Sequence, residues 1–338
     1  MFNGSVSNRG AVLESLRADR TLDRWLRDLE TEDPPQLDVT LPEADDLPDV
    51  LLDLAVPHED INELVALRAR VTQDAEVQRL LELVTRSLAC RIGTIGYQTQ
   101  APDLPKSWGA LGRYFYVFVY VATLPHTLDY HRGLGVPPEI SSRTLADIGR
   151  NMSRYRTRYG IGGMLHPWWP ALHLRGELYQ LGRLQFQRAT LGNRTGNSVA
   201  QAGLPYGPGS PTLGLHIPDH YGPLSPAACD RSLERAREFF AHCYPEERYA
   251  IATCHSWLLD PQLQGRLPPE SNILRFQRRF RTAYVSPEEF DQGTIGFVFG
   301  DPDRPLDALP RRNSLERAIV DHLRAGEHWH VGHGWFQL

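Results

Sequence analysis

Apolar residues recur with a helical period through the first 140 residues. Val12, Leu13, Leu16, Leu22, Trp25, Leu26 and Leu29 mark one helical stretch over residues 10–31. Residues 32–60 are acidic and proline-rich, with Glu43, Asp45, Asp46 and Asp49 among Pro34, Pro35, Pro42 and Pro48, which predicts a surface connection. Ile61, Leu64, Leu67, Val71, Val77, Leu80, Leu81 and Val84 predict an amphipathic helix or helix pair over 59–91. A further helix is expected over 107–124, ended by the breaker run HRGLGVPPEIS at 131–141. The longest apolar run, Tyr114 to Leu124, is too short to span a bilayer and predicts a buried core element.

After residue 141 the pattern changes. A helix over 142–158 ends at Tyr159-Gly160, where glycine can take the left-handed cap conformation; TRYGIG at 157–162 is read as that cap. Pro167 opens a second helical run, WWPALHLRGELYQL. Strands are expected at 183–190, 212–218, 249–259 and 294–300, and the last segment, HWHVGHGWFQL, alternates like a strand. Helices are expected from Pro226 to Cys243, around 270–281 and at 314–325, with a Gly-, Asn-, Pro- and Ser-rich loop over 192–211. The division expected is a helical domain over 1–140 and a domain of short strands and helices over 141–338.

A length of 338 residues fits two domains. Lys+Arg is 36, and Lys106 is the only lysine, which removes Schiff-base and Walker-type lysine chemistry. The net charge of -5 argues against a general nucleic-acid binder. Cys90, Cys229, Cys243 and Cys254 lack CxxC spacing and fit reduced thiols in a cytoplasm. The opening MFNGSVSNRG has no apolar h-region, so no signal peptide is expected.

The most informative stretch is 212–259. A strand, TLGLHIP, leads through DHYGPL to Ser225-Pro226 and a long helix. Ser225 suits the N-cap and Pro226 the first helical position. Gly222 permits close approach of a ligand, and the helix start offers N–H groups and a positive dipole end to a phosphate. Another strand, YAIATCHSWLL, a helix, SNILRFQRRF, and a further strand follow.

That order resembles the core of the GNAT superfamily of N-acetyltransferases. In that fold the first turn holds the pyrophosphate of an acyl-CoA, and two splayed strands admit its thioester arm. The segments WWPALHLRGELYQLGRLQFQR, LGLHIPDHYGPLSPAACDRSLERAREFF, SWLLDPQLQGRLPPESNILRFQRRF and RRNSLERAIVDHLRAGEHW closely resemble actinobacterial acyltransferase-domain proteins. These join a helical acyltransferase N-terminal domain to a GNAT-like C-terminal domain. The resemblance covers the whole chain and is strongest over 140–338. It implies an α+β fold, with a mixed, mostly antiparallel sheet flanked by helices in the second domain. It also implies acetyl-CoA or a longer acyl-CoA as co-substrate. The residues placed against that co-substrate are Ile217, Gly222, Pro223, Leu224, Ser225, Ala227, Asn272 and Arg275. Two departures stand out. The Q/R-x-x-G-x-G/A signature is replaced by DHYGPLS, and Arg275 and Arg279 replace the small residue and the acid tyrosine expected after Asn272.

Acyl transfer to nitrogen needs a neutral amine and a proton for the departing thiolate. His216 ends the strand before the turn and is the candidate base. Ser256 is the candidate donor to sulfur. Cys254 is a candidate nucleophile if a histidine lowers its pKa. Alternation puts Cys254 and Ser256 on one face and His255 on the other. Arg275, Arg278 and Arg279 could meet acyl-CoA phosphates. Tyr155, Tyr159, Trp168, Trp169 and Tyr179 could wall an acceptor pocket. His328, His330 and His333 lack the carboxylate or cysteine pattern of a metal site, and none is expected. The function expected is acyl-CoA-dependent transfer of an acyl group to an amine of a small metabolite or peptide, without nucleic acid or membrane. The lost signature keeps open a non-catalytic GNAT-like ligand-binding or scaffold protein. A third reading is an interaction module whose helical domain docks a partner. In the enzymatic reading the helical domain covers the acceptor side of the cleft.

Overall fold

A computed structural model describes residues 11–32, Pro34 and 36–338. Its compact units divide the chain differently from the sequence reading. Of the described residues, the first unit holds those up to Gly133 together with Ser141–Gly176, and the second holds Leu134–Ile140 and Glu177–Leu338. The helices of 141–176 bury Leu145, Ile148, Met152, Ala171 and Leu174 in the first unit's core, which is why the boundary falls at Gly176 and not at 140.

The first unit is helical: α1 (Ala11–Arg17), α2 (Arg20–Thr31), α3 (Leu47–Asp53), α4 (His58–Gln73), α5 (Ala75–Ala89), α6 (Ala110–Gly133), α7 (Pro138–Leu145), α8 (Asp147–Tyr159) and α9 (Trp168–Leu174), with the start of α7 counted in the second unit. The expected stretch over 10–31 is two helices, broken where the Asp19 carboxylate accepts from the Thr21 and Leu22 amides to cap α2. Asp74 likewise splits 59–91 into α4 and α5 by capping Glu76 and Val77. The apolar run 114–124 forms the buried middle of α6. Gly160 ends α8 with φ +70° in the left-handed cap. Among the described residues no helix is long and apolar enough to cross a membrane.

The second unit is built on a six-stranded sheet in the order β1-β2-β3-β4-β6-β5: β1 (Leu178–Leu181), β2 (Leu184–Thr190), β3 (Pro211–His216), β4 (Ile251–Ser256), β5 (Arg281–Glu289) and β6 (His330–Gln337). All neighbours are antiparallel except β3 and β4. The helices are α10 (Asn193–Gln201), α11 (Pro226–Cys243), α12 (Asn272–Gln277), α13 (Asp291–Phe299) and α14 (Ser314–Arg324). One sheet face buries Tyr179, Phe186, Leu215 and Cys254 with Leu233, Phe239 and Phe240 of α11. On the opposite face Ile251 and Trp335 pack with Leu191 and with Val199 of α10.

Several segments depart from the sequence reading: α3 lies in the expected surface connection, the helix expected over 142–158 is the end of α7 followed by α8, and β5 stands where no strand was expected. Residues 178–181 are strand β1, not the end of a helix: Gly176 at φ +66° stops the helical run, and the two-residue turn Gly182-Arg183 closes a hairpin, with Gly182 at φ +81°. The run TIGFVFG (294–300) is in helix α13, not a strand. A short all-apolar run carries no period to separate the two states. Here the Asp291 carboxylate accepts from the Trp329 amide, Ile295 and Phe299 pack against Leu309 and Val320, and Gly300 caps the end at φ +84°. The segment 192–211 contains helix α10, whose composition hides its buried residues Thr195, Gly196 and Val199. Gly196 is required by space, since a Cβ there would lie 2.4 Å from the Pro208 nitrogen.

Candidate active site

Strands β3 and β4 are paired in register at only Leu213↔Ala252 and Gly214↔Thr253. Beyond these positions they separate, because β3 continues its ladder with β2 while β4 continues its ladder with β6. The separation opens a cavity of about 80 Å³. Gln187, Gly214, His216, Thr253 and His255 are among its lining residues. The sheet's alternation places Gln187, Gly214, His216, Thr253 and His255 on the face that carries α10.

His216 ends β3, half-buried, with Nε2 2.8 Å from the Gln187 Oε1. The Gln187 amide nitrogen donates to the Glu177 carboxylate at 2.7 Å. With that donor engaged, Gln187 presents its oxygen to His216, and the imidazole donates through Nε2–H. The predicted base therefore lies at the mouth of the splay, oriented through an amide by a carboxylate.

The other two predicted catalytic residues lie on the opposite face. Cys254 is 1% exposed in the α11-side core, and burial pushes its thiol up to about 12. A thiol so placed supplies almost no thiolate near neutrality, which favours a buried, inert cysteine over a nucleophile. Cys254→Ala is expected to keep acyl transfer within a few-fold of the wild type, with a loss of stability of about 1 kcal/mol from the small cavity. A thiol-release assay and a urea melt check both. Ser256 is half-buried at the end of β4, and its Oγ accepts from the Leu258 amide at 3.1 Å. That bond uses the oxygen as acceptor and leaves the hydroxyl hydrogen to be donated elsewhere.

Beyond β3 the chain turns through 217–225 into α11. Ile217 is half-buried between two core clusters, and Leu224 is buried and anchors the turn. Arg183 of the hairpin donates to the Pro218 carbonyl at 2.8 Å. Gly222 takes φ +75°, while Pro223 and Ala227 are exposed. Ser225 caps α11 by accepting from the Ala228 amide at 3.4 Å. The turn thus ends on the amides of an 18-residue helix.

Ser271 caps α12 through the Leu274 amide, so Asn272 is its first residue, half-buried, and Arg275 is exposed one turn on. Arg279, just after α12, donates to Asp230 at 2.6 Å and to the Pro226 carbonyl at 3.2 Å. The residue at the position where the resemblance implies a tyrosine therefore sets a guanidinium at the first turn of α11.

The register of β4 with β6 sets His255 opposite His333, and that of β5 with β6 sets Tyr284 opposite His333. The sequence reading left this group out of the site. Its only signal was the run Gly332-His333-Gly334-Trp335 near the end of the chain. His328 and His330 are elsewhere: His330 Nδ1 meets the Glu288 carbonyl at 3.0 Å, and His328 pairs with Asp291 and Glu289. Glu289, Asp291 and His328 bring ligand atoms within 4.8 Å on the surface, where the Asp291 hydrogen bond raises the His328 pKa.

The chain matches an N-acyltransferase N-terminal domain over residues 45–176 and a GNAT-like C-terminal domain over residues 178–336. Among solved structures, an acyltransferase in complex with decanoyl-CoA and teicoplanin is 38% identical, with a TM-score of 0.86 over 96% of this chain and 99% of that one. A mutant acyltransferase in complex with octanoyl-CoA is 37% identical, with a TM-score of 0.87 over 97% of this chain and 99% of that one. No curated protein matches the chain.

Proposed function

The chain belongs to the acyltransferases that join an N-acyltransferase N-terminal domain to a GNAT-like C-terminal domain, and on that premise we propose that it moves an acyl group from acyl-CoA to an amine of a small metabolite or peptide. The observation that carries this reading is the parting of β3 from β4 beside the capped start of α11. A splay between parallel strands exposes backbone groups to an extended arm, and a helix start favours phosphate. Decanoyl-CoA and octanoyl-CoA occupy two of the related acyltransferases, and teicoplanin accompanies the acyl-CoA in one. Both acyl groups belong to the range of acyl-CoA substrates proposed here, from acetyl upward.

In this reading Gly222, Pro223, Leu224, Ser225 and Ala227 form the pyrophosphate turn, Ile217 flanks the arm, and Asn272, Arg275 and Arg279 serve the nucleotide side. The amine nitrogen attacks the thioester carbonyl, the C–N bond forms, and the C–S bond breaks. His216 receives the proton lost from nitrogen, and Ser256 donates to the departing sulfur, replenished from solvent. No lysine is needed on the enzyme. Four free cysteines and an acyl-CoA substrate fit a cytoplasmic setting.

Calorimetric titration with acetyl-, octanoyl- and decanoyl-CoA tests the first half of the reading. Thiol release on adding amine acceptors, the teicoplanin scaffold among them, tests the second. Binding to at least one acyl-CoA and amine-dependent thiol release are expected. An absence of binding to all three acyl-CoAs overturns the reading.

A further inference from the structure

Beside the cleft, a connected group of side chains has no part in the transfer described above. His255 Nδ1 and His333 Nδ1 are 2.6 Å apart, and His333 Nε2 is 2.9 Å from Ser286 Oγ. Tyr284 stacks on His333, with ring centres 4.0 Å apart and planes 12° from parallel. The Arg194 guanidinium lies 3.6 Å from the centre of the Tyr284 ring. Arg194, His255, Tyr284 and His333 border a recess of about 270 Å³ that shares Gly192, Thr195 and His255 with the cleft. His255 is thus the titratable side chain common, with Thr195, to the acyl-side cavity and the recess next to it.

The reaction has a proton to dispose of. An amine is an ammonium near neutrality, so the balance is ammonium plus acyl-CoA giving amide, free CoA thiol and one proton. The proton that His216 takes from the attacking nitrogen is balanced by the one that Ser256 gives to the sulfur, so these two cancel. The one on the starting ammonium does not, and it must leave before nitrogen can attack. We propose that His255 receives this proton on Nε2, and that His333 is a positioning residue that fixes the His255 tautomer. This inference rests on the acyl-transfer reading.

Two arrangements satisfy the three-membered chain. In the first, His255 Nδ1–H donates to His333 Nδ1 and His333 Nε2–H donates to Ser286 Oγ, which leaves the His255 Nε2 lone pair available. In the second, Ser286 O–H donates to His333, His333 Nδ1–H donates to His255, and His255 Nε2 already carries a hydrogen. Only the first makes His255 a base. Both rings are neutral near pH 7. Burial lowers the His255 pKa; burial, then His255 and then Arg194, hold His333 down to about 4, against the opposing charge of Glu288. The Arg194 charge also disfavours an ammonium brought beside it, so it eases the same proton off the acceptor.

Long-range ¹⁵N spectra of the imidazoles in the full chain test the tautomer without any substrate. His255 is expected as the Nδ1–H form at pH 7, shifting toward Nε2–H in His333→Gln. An Nε2–H wild-type ring overturns the proposal. Thiol release from decanoyl-CoA with an amine acceptor, followed against pH, tests the role. His255→Gln is expected to lower kcat/KM for the acceptor by about 100-fold at pH 7. The deficit should shrink as rising pH deprotonates the amine in solution, with decanoyl-CoA affinity unchanged by calorimetry. Wild-type turnover in His255→Gln, or a deficit equal at every pH, overturns the proposal and leaves the acyl-transfer reading standing. A wild-type protein that releases thiol with no amine removes that reading and this role with it.

Discussion

His216→Ala is expected to lower acyl transfer by about two to four orders of magnitude at pH 7, the range set by losing a general base. Decanoyl-CoA affinity should stay within a few-fold of wild type, because the backbone of the 217–225 turn and the amides of α11 do not depend on the imidazole. The expectation rests on a chain of orientation. Glu177 accepts from the Gln187 amide nitrogen at 2.7 Å, and the Gln187 oxygen then stands 2.8 Å from His216 Nε2. Holding that nitrogen as the donor makes Nδ1 the basic position of the neutral ring. Gln187→Leu removes the orientation and keeps the ring, so its loss should be smaller, on the order of ten-fold. Rates are read from thiol release under single-turnover conditions, which separate chemistry from product departure. A His216→Ala protein that turns over at the wild-type rate would remove His216 from the mechanism.

Much of the frame behind this expectation is readable in the sequence. Ser225-Pro226 and the apolar spacing after it locate α11 at Pro226–Cys243, because cap chemistry and helical period agree there. His216 is also legible, since it ends an alternating strand just before a glycine-bearing turn. The same local logic fails over 192–211 and 294–300. In α10 glycine, asparagine and serine are used for close packing, not for turning, and in α13 an unbroken apolar run has no period to read. The His255–His333 pair is invisible for a different reason. It joins residues 78 apart through the β4–β6 register, and register is a property of the assembled sheet. Local alternation assigns His255 to a face, but not to a partner. Cys254 shows the converse. Its neighbours in sequence resemble a catalytic cluster, while a lone cysteine in an apolar strand also reads as a core side chain, and its place under α11 is that of the second.

Gly332→Ala is expected to destabilise the protein by about 3 kcal/mol or more, as overpacking against an immovable neighbour does. Gly332 is opposite Ser256 in the β4–β6 ladder, and the chain leaving β4 crosses directly over it. A Cβ at 332 would lie 2.3 Å from the Leu259 carbonyl oxygen and 2.5 Å from its carbon. Those are backbone atoms, and the segment that carries them is tied down at several points. Ser256 caps Leu258, Asp260 Oδ2 accepts from the His330 amide at 2.8 Å, and Gln277 donates to the Asp260 carbonyl at 2.8 Å. Gly334 has the same constraint more mildly, with Phe280 Cβ 2.8 Å from the added atom. The two glycines therefore keep one face of β6 bare for the 257–260 crossing, while His333 and Trp335 between and beyond them occupy the other face. This gives the Gly332-His333-Gly334-Trp335 pattern a physical origin. The glycines secure the register that sets His333 beside His255, and the histidine is free of that packing duty. His333→Gln should accordingly leave the urea midpoint close to wild type while Gly332→Ala lowers it sharply. An unchanged midpoint in Gly332→Ala would mean that the crossing at Leu259 does not hold β6 in place.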